Sequence, residues 1–509
     1  MFDKLNGLKR FAGDIRTTFK EKPVNFCCRV ATAIYAVILF YFNFIRVFDN
    51  YVWLDEAYTG NLTRMSVLDM IHTTANDVHP PLYYLITQAF CKIFGVRTGC
   101  LHFVSIVPLA ILLVFAIVVI WDEFGPEPSV IFITMLGLSD LAVRYNVEIR
   151  MYSWAALFVF FAFYAFYCII RFDRKRDYVW FSLFSLAAAY THYYALIAVA
   201  FFYVALFIHS IFRNRAAIKK DFIISIIAVV AYLPWLSILL QSMRVRVNNY
   251  WITDTDIPTV RNCFEFIFSE HFPGWMWRVT ILMLILTVLY ESGFLIIEKI
   301  NAKEFILKIR QKIHYSDTLV FIAVGLFSFI GTALVGIIVS KEISPFFVVR
   351  FMYVLALVIW LIFGIMFHKM KLGVLWCTLF TAWILTILVP AYKAISAWDM
   401  INFQRTMITV NTVNEIPAED TIILNFEDQE FIPNYYFYDR DLLFVTYDVN
   451  DLTVPDLDDE QNYWLLIQDE WDMSGVYAQL QQQGYSCELV SEGGELGYSN
   501  IYIYRLYRE

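Results

Sequence analysis

The chain has 509 residues, 59% of them hydrophobic, 18% aromatic and only 17% charged, with a net charge of −8. Ordinary soluble chains are roughly 45–50% apolar and about 25% charged, so the composition excludes a water-soluble globule and a disordered polymer. Residues 391–509 hold 22 Asp and Glu against 5 Lys and Arg, while the first 390 hold 25 against 34; an acidic tail follows a mildly basic apolar body, and no basic stripe marks a nucleic-acid surface.

A helix needs about 20 apolar residues to cross the hydrocarbon core of a bilayer. Runs of this kind at 30–47, 101–121, 128–143, 151–170, 178–191, 194–212, 221–241, 278–298, 318–340, 351–368 and 372–391 predict eleven crossings. Residues 1–29 form a cytoplasmic leader to the first run, which has no small-residue cleavage site after it and is expected to stay as an anchor. In the loop 48–100, the apolar stretch Pro81 to Phe94 is too short to span; Leu82, Leu85, Ile86, Ala89, Phe90 and Ile93 recur at helical spacing, as in a helix lying in the membrane surface. Tyr178 to Phe212 is 35 residues of mostly apolar sequence, about 52 Å as a single helix. It is therefore read as a hairpin broken at Thr191-His192.

With those assignments the clusters Arg171/Arg174/Lys175/Arg176, Arg213/Arg215/Lys219/Lys220, Lys299/Lys303/Lys308/Arg310/Lys312 and Lys369/Lys371 all fall on the side of the basic N-terminus. The positive-inside bias makes that side the cytoplasm. The outer side then carries the loop 48–100, the turn 144–150, the turn at His192, the loops 242–277 and 341–350, and the tail. In the tail, strands are expected at Thr421 to Phe426, Leu442 to Tyr447, Tyr463 to Gln468, Cys487 to Val490 and Ile501 to Leu506, with helices near Gln429 to Tyr438 and Ser474 to Gly484. The prediction is a polytopic α-helical membrane domain over 30–391 followed by a small acidic α/β extracytoplasmic domain over 392–509. Eight cysteines lie mostly inside apolar runs with no CxxC pair, which gives neither a disulfide scaffold nor a zinc site.

Polar residues gather at the predicted outer boundary. Tyr51-Val-Trp-Leu-Asp55-Glu56-Ala-Tyr58 opens the first outer loop; its two carboxylates are either a reactive pair, a solvated loop pair or an acidic cap on a surface helix. Asn76-Asp77-Val-His79-Pro-Pro-Leu-Tyr83-Tyr84 reads at its plainest as a proline-fixed helix start. The turn Arg144-Tyr145-Asn146-Val147-Glu148-Ile149-Arg150-Met151-Tyr152 crowds two arginines and a glutamate, which snorkelling or a local ion pair would explain. Thr191-His192-Tyr-Tyr caps the hairpin, and Lys341 and Arg350 flank Ser344-Pro345-Phe346. Outer-side cations run against the positive-inside bias, which makes Arg144, Arg150 and Arg350 the informative exceptions. Arginine grips phosphate in a forked geometry, and a lipid-linked phosphate presents its head group at this depth. A phosphate that leaves with its charge held by arginine needs little general acid. One carboxylate base acting on an acceptor hydroxyl then suffices, unlike the acid/base pair of most glycosidases.

At these residues the sequence resembles the dolichyl-phosphate-mannose protein mannosyltransferase and aminoarabinose transferase superfamily (glycosyltransferase family 39-like), enzymes of the C-type membrane fold. The matching parts are Asp55-Glu56, Asp77-Val-His79-Pro-Pro-Leu-Tyr-Tyr, Glu148-Ile-Arg150-Met-Tyr152, Thr191-His192-Tyr-Tyr and Pro345 to Arg350, spread over about the first 370 residues. The resemblance implies an inverting transfer of sugar from a polyprenyl-phosphate donor to a hydroxyl. It implies Asp55 as base and Glu56 as its orienting or acceptor-binding neighbour; Asp77, His79, Tyr83, Tyr152 and His192 on acceptor or donor; and Arg144, Arg150, Arg350 and Lys341 on the donor phosphate. Protein mannosyltransferases of eukaryotes carry a β-trefoil in a central outer loop, and no outer loop here is long enough. A bacterial cell-surface glycolipid, polysaccharide or teichoic-acid-like polymer is accordingly favoured over protein as acceptor, in the cytoplasmic membrane of a bacterium. The resemblance demands no cofactor; a divalent ion, where the wider superfamily uses one, would fall to Asp55 and Glu148. A transporter or lipid flippase is the alternative, as is a non-catalytic scaffold whose acidic domain binds a partner. Transporters place ionisable groups at mid-membrane and carry internal repeats; here Asp140 is the plausible intramembrane carboxylate, most charges gather at the outer boundary, and no repeat is found.

Overall fold

The computed structural model describes residues 23–48, 51–77, 79–245, 257–268, 274–291, 316–343, 347–371, 373–425, 430–448, 451–458, 460–468, 473–496 and 499–508. They form two compact bodies: the first holds residues up to Phe44, Val67–Thr87 and Phe103–Lys393, the second Ile45–Ser66, Gln88–His102 and Ala394–Glu509.

The first body is helical. Among the described residues eight helices are long and apolar enough to cross a membrane: Pro23–Ile45, Thr98–Phe124, Tyr152–Phe172, Tyr193–Arg213, Arg215–Gln241, Asp317–Glu342, Val349–Lys369 and Thr378–Glu415. All eleven expected runs fall on helices, but three are short. Pro126–Leu138 stops after 13 residues because Ser139 leaves the helical backbone and caps the next helix, Asp140–Tyr145, by accepting from the Ala142 N–H. Lys175–Ala189 has 15 residues and ends in the turn before His192, and Met276–Glu291 has 16, the rest of that expected run lying outside the described residues. Leu82–Phe94 forms the short helix expected there.

Val349–Lys369 is central, with 89% of its apolar stretch buried, whereas Arg215–Gln241 at 11% presents its side chains outward. In water an outward face of Phe222, Ile226, Val229, Val230 and Leu233 would be untenable; in hydrocarbon it is the solvated face. The interior is aromatic: Phe163 stacks on Phe321 at 3.9 Å, and Trp360 is fully buried with its indole N–H donating to the Ile267 carbonyl at 2.8 Å. Thr98–Phe124 contains a π-helical turn at Ala116–Ile120. Such a turn diverts backbone carbonyls from helical bonding, and Ser129 Oγ donates to the Ala116 carbonyl at 2.8 Å while the Arg29 guanidinium donates to that of Ile117 at 2.8 and 3.1 Å.

No Gly or Pro stands between Pro390 and Pro417, and the last helix runs on from Gly373 to Glu415, well past the expected 391. Its final residues belong to the second body, whose centre is a five-stranded sheet in the order β2-β1-β5-β7-β6, with β1 Thr421–Asn425, β2 Leu442–Phe444, β5 Tyr463–Gln468, β6 Tyr485–Leu496 and β7 Ser499–Arg508. β1 pairs in parallel with β2 and β5, and β7 runs antiparallel to β5 and β6. The expected strand over 442–447 divides into β2 and β3 Thr446–Asp448, the latter forming a separate hairpin with β4 Asp451–Thr453. Helices occupy Phe431–Tyr436 and Met473–Gln482, and Ile423, Leu465, Ile467, Val476 and Leu480 share the core beneath the sheet.

The second body also incorporates the helix Leu54–Arg64. Gly60 faces the Tyr435 ring so closely that a Cβ would collide with it. The Asn61 amide donates to the Phe431 carbonyl at 2.9 Å, the Val52 N–H to Tyr436 Oη at 3.1 Å, and the Arg64 guanidinium to the Tyr435 carbonyl at 3.1 Å while lying 4.0 Å over the Tyr438 ring. The carboxylate-bearing helix is thereby fixed to the C-terminal α/β fold.

Candidate functional site

In the second body Asp55 and Glu56 open the helix Leu54–Arg64, so the acidic-cap reading holds for one of them. Glu56 is buried, and its Oε2 accepts from the Trp53 N–H at 3.2 Å, satisfying a backbone donor the helix itself leaves open. Its Oε1 lies 4.0 Å from Nδ1 of His102, which is fully buried. Asp55 is half-buried on the same first turn. Sequence reasoning missed His102; its one signal was a histidine placed two residues into an apolar run, where a polar side chain requires a partner.

The first body collects the other candidates around His192. Three local devices bring them there. The Leu82 N–H donates to the Tyr190 carbonyl at 3.0 Å, bringing the His79-Pro-Pro elbow to the hairpin turn; the His79 and His192 rings are 5.6 Å apart. The turn after Tyr145 is held by Asn146, whose amide donates to Asn43 Oδ1 at 3.2 Å and the Leu136 carbonyl at 3.0 Å, and Ser153 Oγ donates to the Ser105 carbonyl at 2.9 Å. The 3-10 helix Val349–Leu355 carrying Arg350 is set by Phe347, whose N–H donates to Ser340 Oγ at 3.0 Å and whose ring packs on Gly336 and stacks 5.1 Å from Tyr194.

His79, Glu148, Arg150, Tyr152 and His192 are buried and Arg350 is half-buried. His192 caps the helix Tyr193–Arg213, its Nδ1 accepting from the Tyr194 N–H at 3.1 Å. Burial, then the positive fields of Arg150 and Arg350, push its pKa down to about 3. A neutral imidazole whose Nδ1 accepts carries its proton on Nε2, and Nε2 is buried with no hydrogen-bond partner among the described residues. Two guanidiniums and one neutral N–H donor therefore bear on one spot, walled by Tyr152 and Phe351 with ring centroids 5.8 and 5.3 Å from that of His192. Tyr145, 4.8 Å from Tyr152, feels Glu148, Arg350 and Arg144 together; burial, reinforced by Glu148, raises its hydroxyl pKa.

Other expected residues stand elsewhere. Tyr83 is fully buried with its hydroxyl hydrogen-bonded to Ser105 Oγ at 3.1 Å. Asp77 is half-buried just beyond the helix Val67–Ala75, while Arg144 and Lys341 are exposed at helix ends. Ser344, Pro345 and Phe346 lie outside the described residues. Among the described residues no group of three or more His, Cys, Asp or Glu side chains is gathered as a metal ion would require, so Asp55 and Glu148 do not belong to such a set.

No family model matches the chain, and no curated relative matches it. Among solved structures the chain is similar to ArnT from Cupriavidus metallidurans bound to undecaprenyl phosphate, with a TM-score of 0.52 and 11% identity over 94% of this chain and 97% of that one. The apo state of the same ArnT aligns over the same shares with a TM-score of 0.42. The fold is that of the C-type membrane glycosyltransferases.

Proposed function

We propose that the chain is an inverting glycosyltransferase that moves a sugar from a polyprenyl-phosphate donor to a hydroxyl of a cell-envelope acceptor on the outer face of a bacterial cytoplasmic membrane. The observation that carries this reading is the neutral, buried His192 in the joint field of Arg150 and Arg350. The ArnT of similar fold was captured with undecaprenyl phosphate, the kind of ligand such a cluster suits.

The chemistry follows from charge. A sugar phosphodiester carries one negative charge, and the polyprenyl phosphate released from it carries up to two. As the acceptor oxygen bonds to the anomeric carbon and the bond from that carbon to the phosphate oxygen breaks, negative charge grows on the leaving phosphate. Groups that bind the second charge more strongly than the first stabilise the transition state over the ground state. Arg150 and Arg350 do so as permanent cations; His192 does so through Nε2–H, which needs no proton from solvent. Asp55 takes the proton of the acceptor hydroxyl, while Glu56 keeps the turn that carries Asp55 in shape. His79 and Tyr152 bind substrate beside the cations. Attack opposite the leaving group inverts the anomeric centre.

Purified protein incubated with a panel of undecaprenyl-phosphate sugars should consume at least one donor and release undecaprenyl phosphate, followed by mass spectrometry. Consumption of none, in the presence of envelope glycolipid or polysaccharide acceptors, would overturn the proposal.

A further inference from the structure

A second polar site lies at the other end of the same helices. Tyr193–Arg213 has 21 residues, so its far end is about 31 Å from His192. There a cavity of about 240 Å³ is lined by Asp173, Tyr178, His209, Ser210, Arg213 and Asn214, with Ile169, Ile170 and Ala217 on its apolar side. The charged groups on its wall, Asp173 and Arg213, are each paired. Asp173 accepts from Lys220 Nζ at 2.9 and 3.0 Å and from the Tyr178 hydroxyl at 2.8 Å, and the Arg213 guanidinium donates to Asp317 at 3.0 Å. Asp173 holds its carboxylate there as the C-cap of the helix Tyr152–Phe172, its left-handed backbone, φ 46°, ending that helix.

We propose that this cavity binds the head group of a phospholipid carrying both a phosphate and a primary ammonium, as in phosphatidylethanolamine. The volume falls below that of sites for whole drug-sized molecules, so it suits a head group rather than an entire lipid. The helices that frame it are apolar enough to cross a membrane, so their ends meet the head-group layer. Ile208 and Phe212, exposed and one step around the helix from His209 and Arg213, offer a path for an acyl chain. A wall that offers one carboxylate and one guanidinium accepts a zwitterion with both its charges answered: the phosphate shares Arg213 with Asp317, and the ammonium shares Asp173 with Lys220. Choline has no N–H to give Asp173, and a glycerol head group leaves its phosphate uncompensated.

The test is lipid retention, which is independent of any transferase activity. The full chain is reconstituted with equal amounts of phosphatidylethanolamine, phosphatidylcholine and phosphatidylglycerol, washed stepwise in detergent, and its retained lipid is quantified by mass spectrometry. Ethanolamine lipid should be enriched about tenfold over the others, the ratio given by about 1.4 kcal/mol. Asp173→Asn combined with Arg213→Gln should return retention to the bulk ratio, and so should Asn214→Trp, which fills the rim and leaves both ion pairs in place. If the double variant does not fold, Asn214→Trp decides alone. No ethanolamine preference in the wild-type chain, or a preference that survives a folded variant, would overturn the proposal.

Discussion

The two ends of the helices Tyr152–Phe172 and Tyr193–Arg213 set positive charge beside different neighbours. At the far end four cations have a carboxylate against them: Arg171 with Glu123, Arg174 with Asp177, Lys220 with Asp173, Arg213 with Asp317. At the near end Arg150 and Arg350 act together on His192, strongly enough to help keep it neutral. Paired charges at a membrane boundary anchor helices and contribute little to stability individually. Guanidiniums that jointly depress a histidine describe a local positive potential, which is what an anionic ligand meets. On the reading proposed above, the near-end cations are the ones placed for chemistry and the far-end pairs are the ones that hold the fold.

The largest effect should come from the base that this chemistry requires. Asp55→Asn is expected to lower sugar transfer at least ~10³-fold while undecaprenyl phosphate binding, measured separately, is retained. Transfer at the wild-type rate would remove Asp55 from the mechanism. Next, Arg150→Gln and Arg350→Gln should each reduce transfer by ~10²–10³-fold, whereas Arg174→Gln at the far end should change it by less than about twofold. Equal losses at both ends would dissolve the distinction.

A third prediction concerns stability against pH. The folded pKa of His192, about 3, lies below its ordinary value of 6.5, so the unfolded chain binds this proton first. The stabilisation is complete above about pH 6.5 and is lost as pH falls toward 3, by an amount on the order of a few kcal/mol. Melting curves in detergent at pH 7.5 and 4.5 should show a larger drop for the wild type than for His192→Gln; parallel drops would show that the near end carries no such field. The smallest effect belongs to the carboxylate beside Asp55. Glu56→Ala should cost about 1–2 kcal/mol of stability by freeing the Trp53 N–H, read as a lowered melting temperature in detergent.

Much of the near end was legible in the sequence. His79, Arg150, Tyr152, His192 and Arg350 stand in separate motifs at predicted boundaries, and the structure brings His79, Tyr152 and both arginines to His192. Cations on the outer side of a positive-inside pattern were the usable signal. The roles within the Asp55-Glu56 pair were not legible, because adjacent carboxylates in a first helical turn look alike until one finds a backbone donor. Nor was the far-end cavity, since Asp173, Arg213 and Asp317 read as three cytoplasmic charges with nothing in their spacing to join them. The apolar run ends at residue 391 and the first body ends at Lys393, but the helix itself continues to Glu415, because helix length is set by breakers and Pro417 is the next one. Strand positions in the tail were close, but the split between β2 and β3 depends on pairing partners that hydrophobic alternation does not encode.

The π-helical turn at Ala116–Ile120 has a consequence for lineage. A single extra residue in a regular helix produces such a turn, so this segment has the form of a one-residue insertion; the Ala116 carbonyl accepts from the Trp121 N–H as well as from Ser129, and Arg29 reaches both the Ile117 carbonyl and the carboxylate of Asp122. Deleting one residue there would restore regular bonding and rotate Trp121 to Phe124 by about 100° relative to the preceding turns, carrying Asp122 away from Arg29. Insertion and arginine are therefore coupled: a homologous chain one residue shorter at this point should have lost the arginine or moved its carboxylate partner.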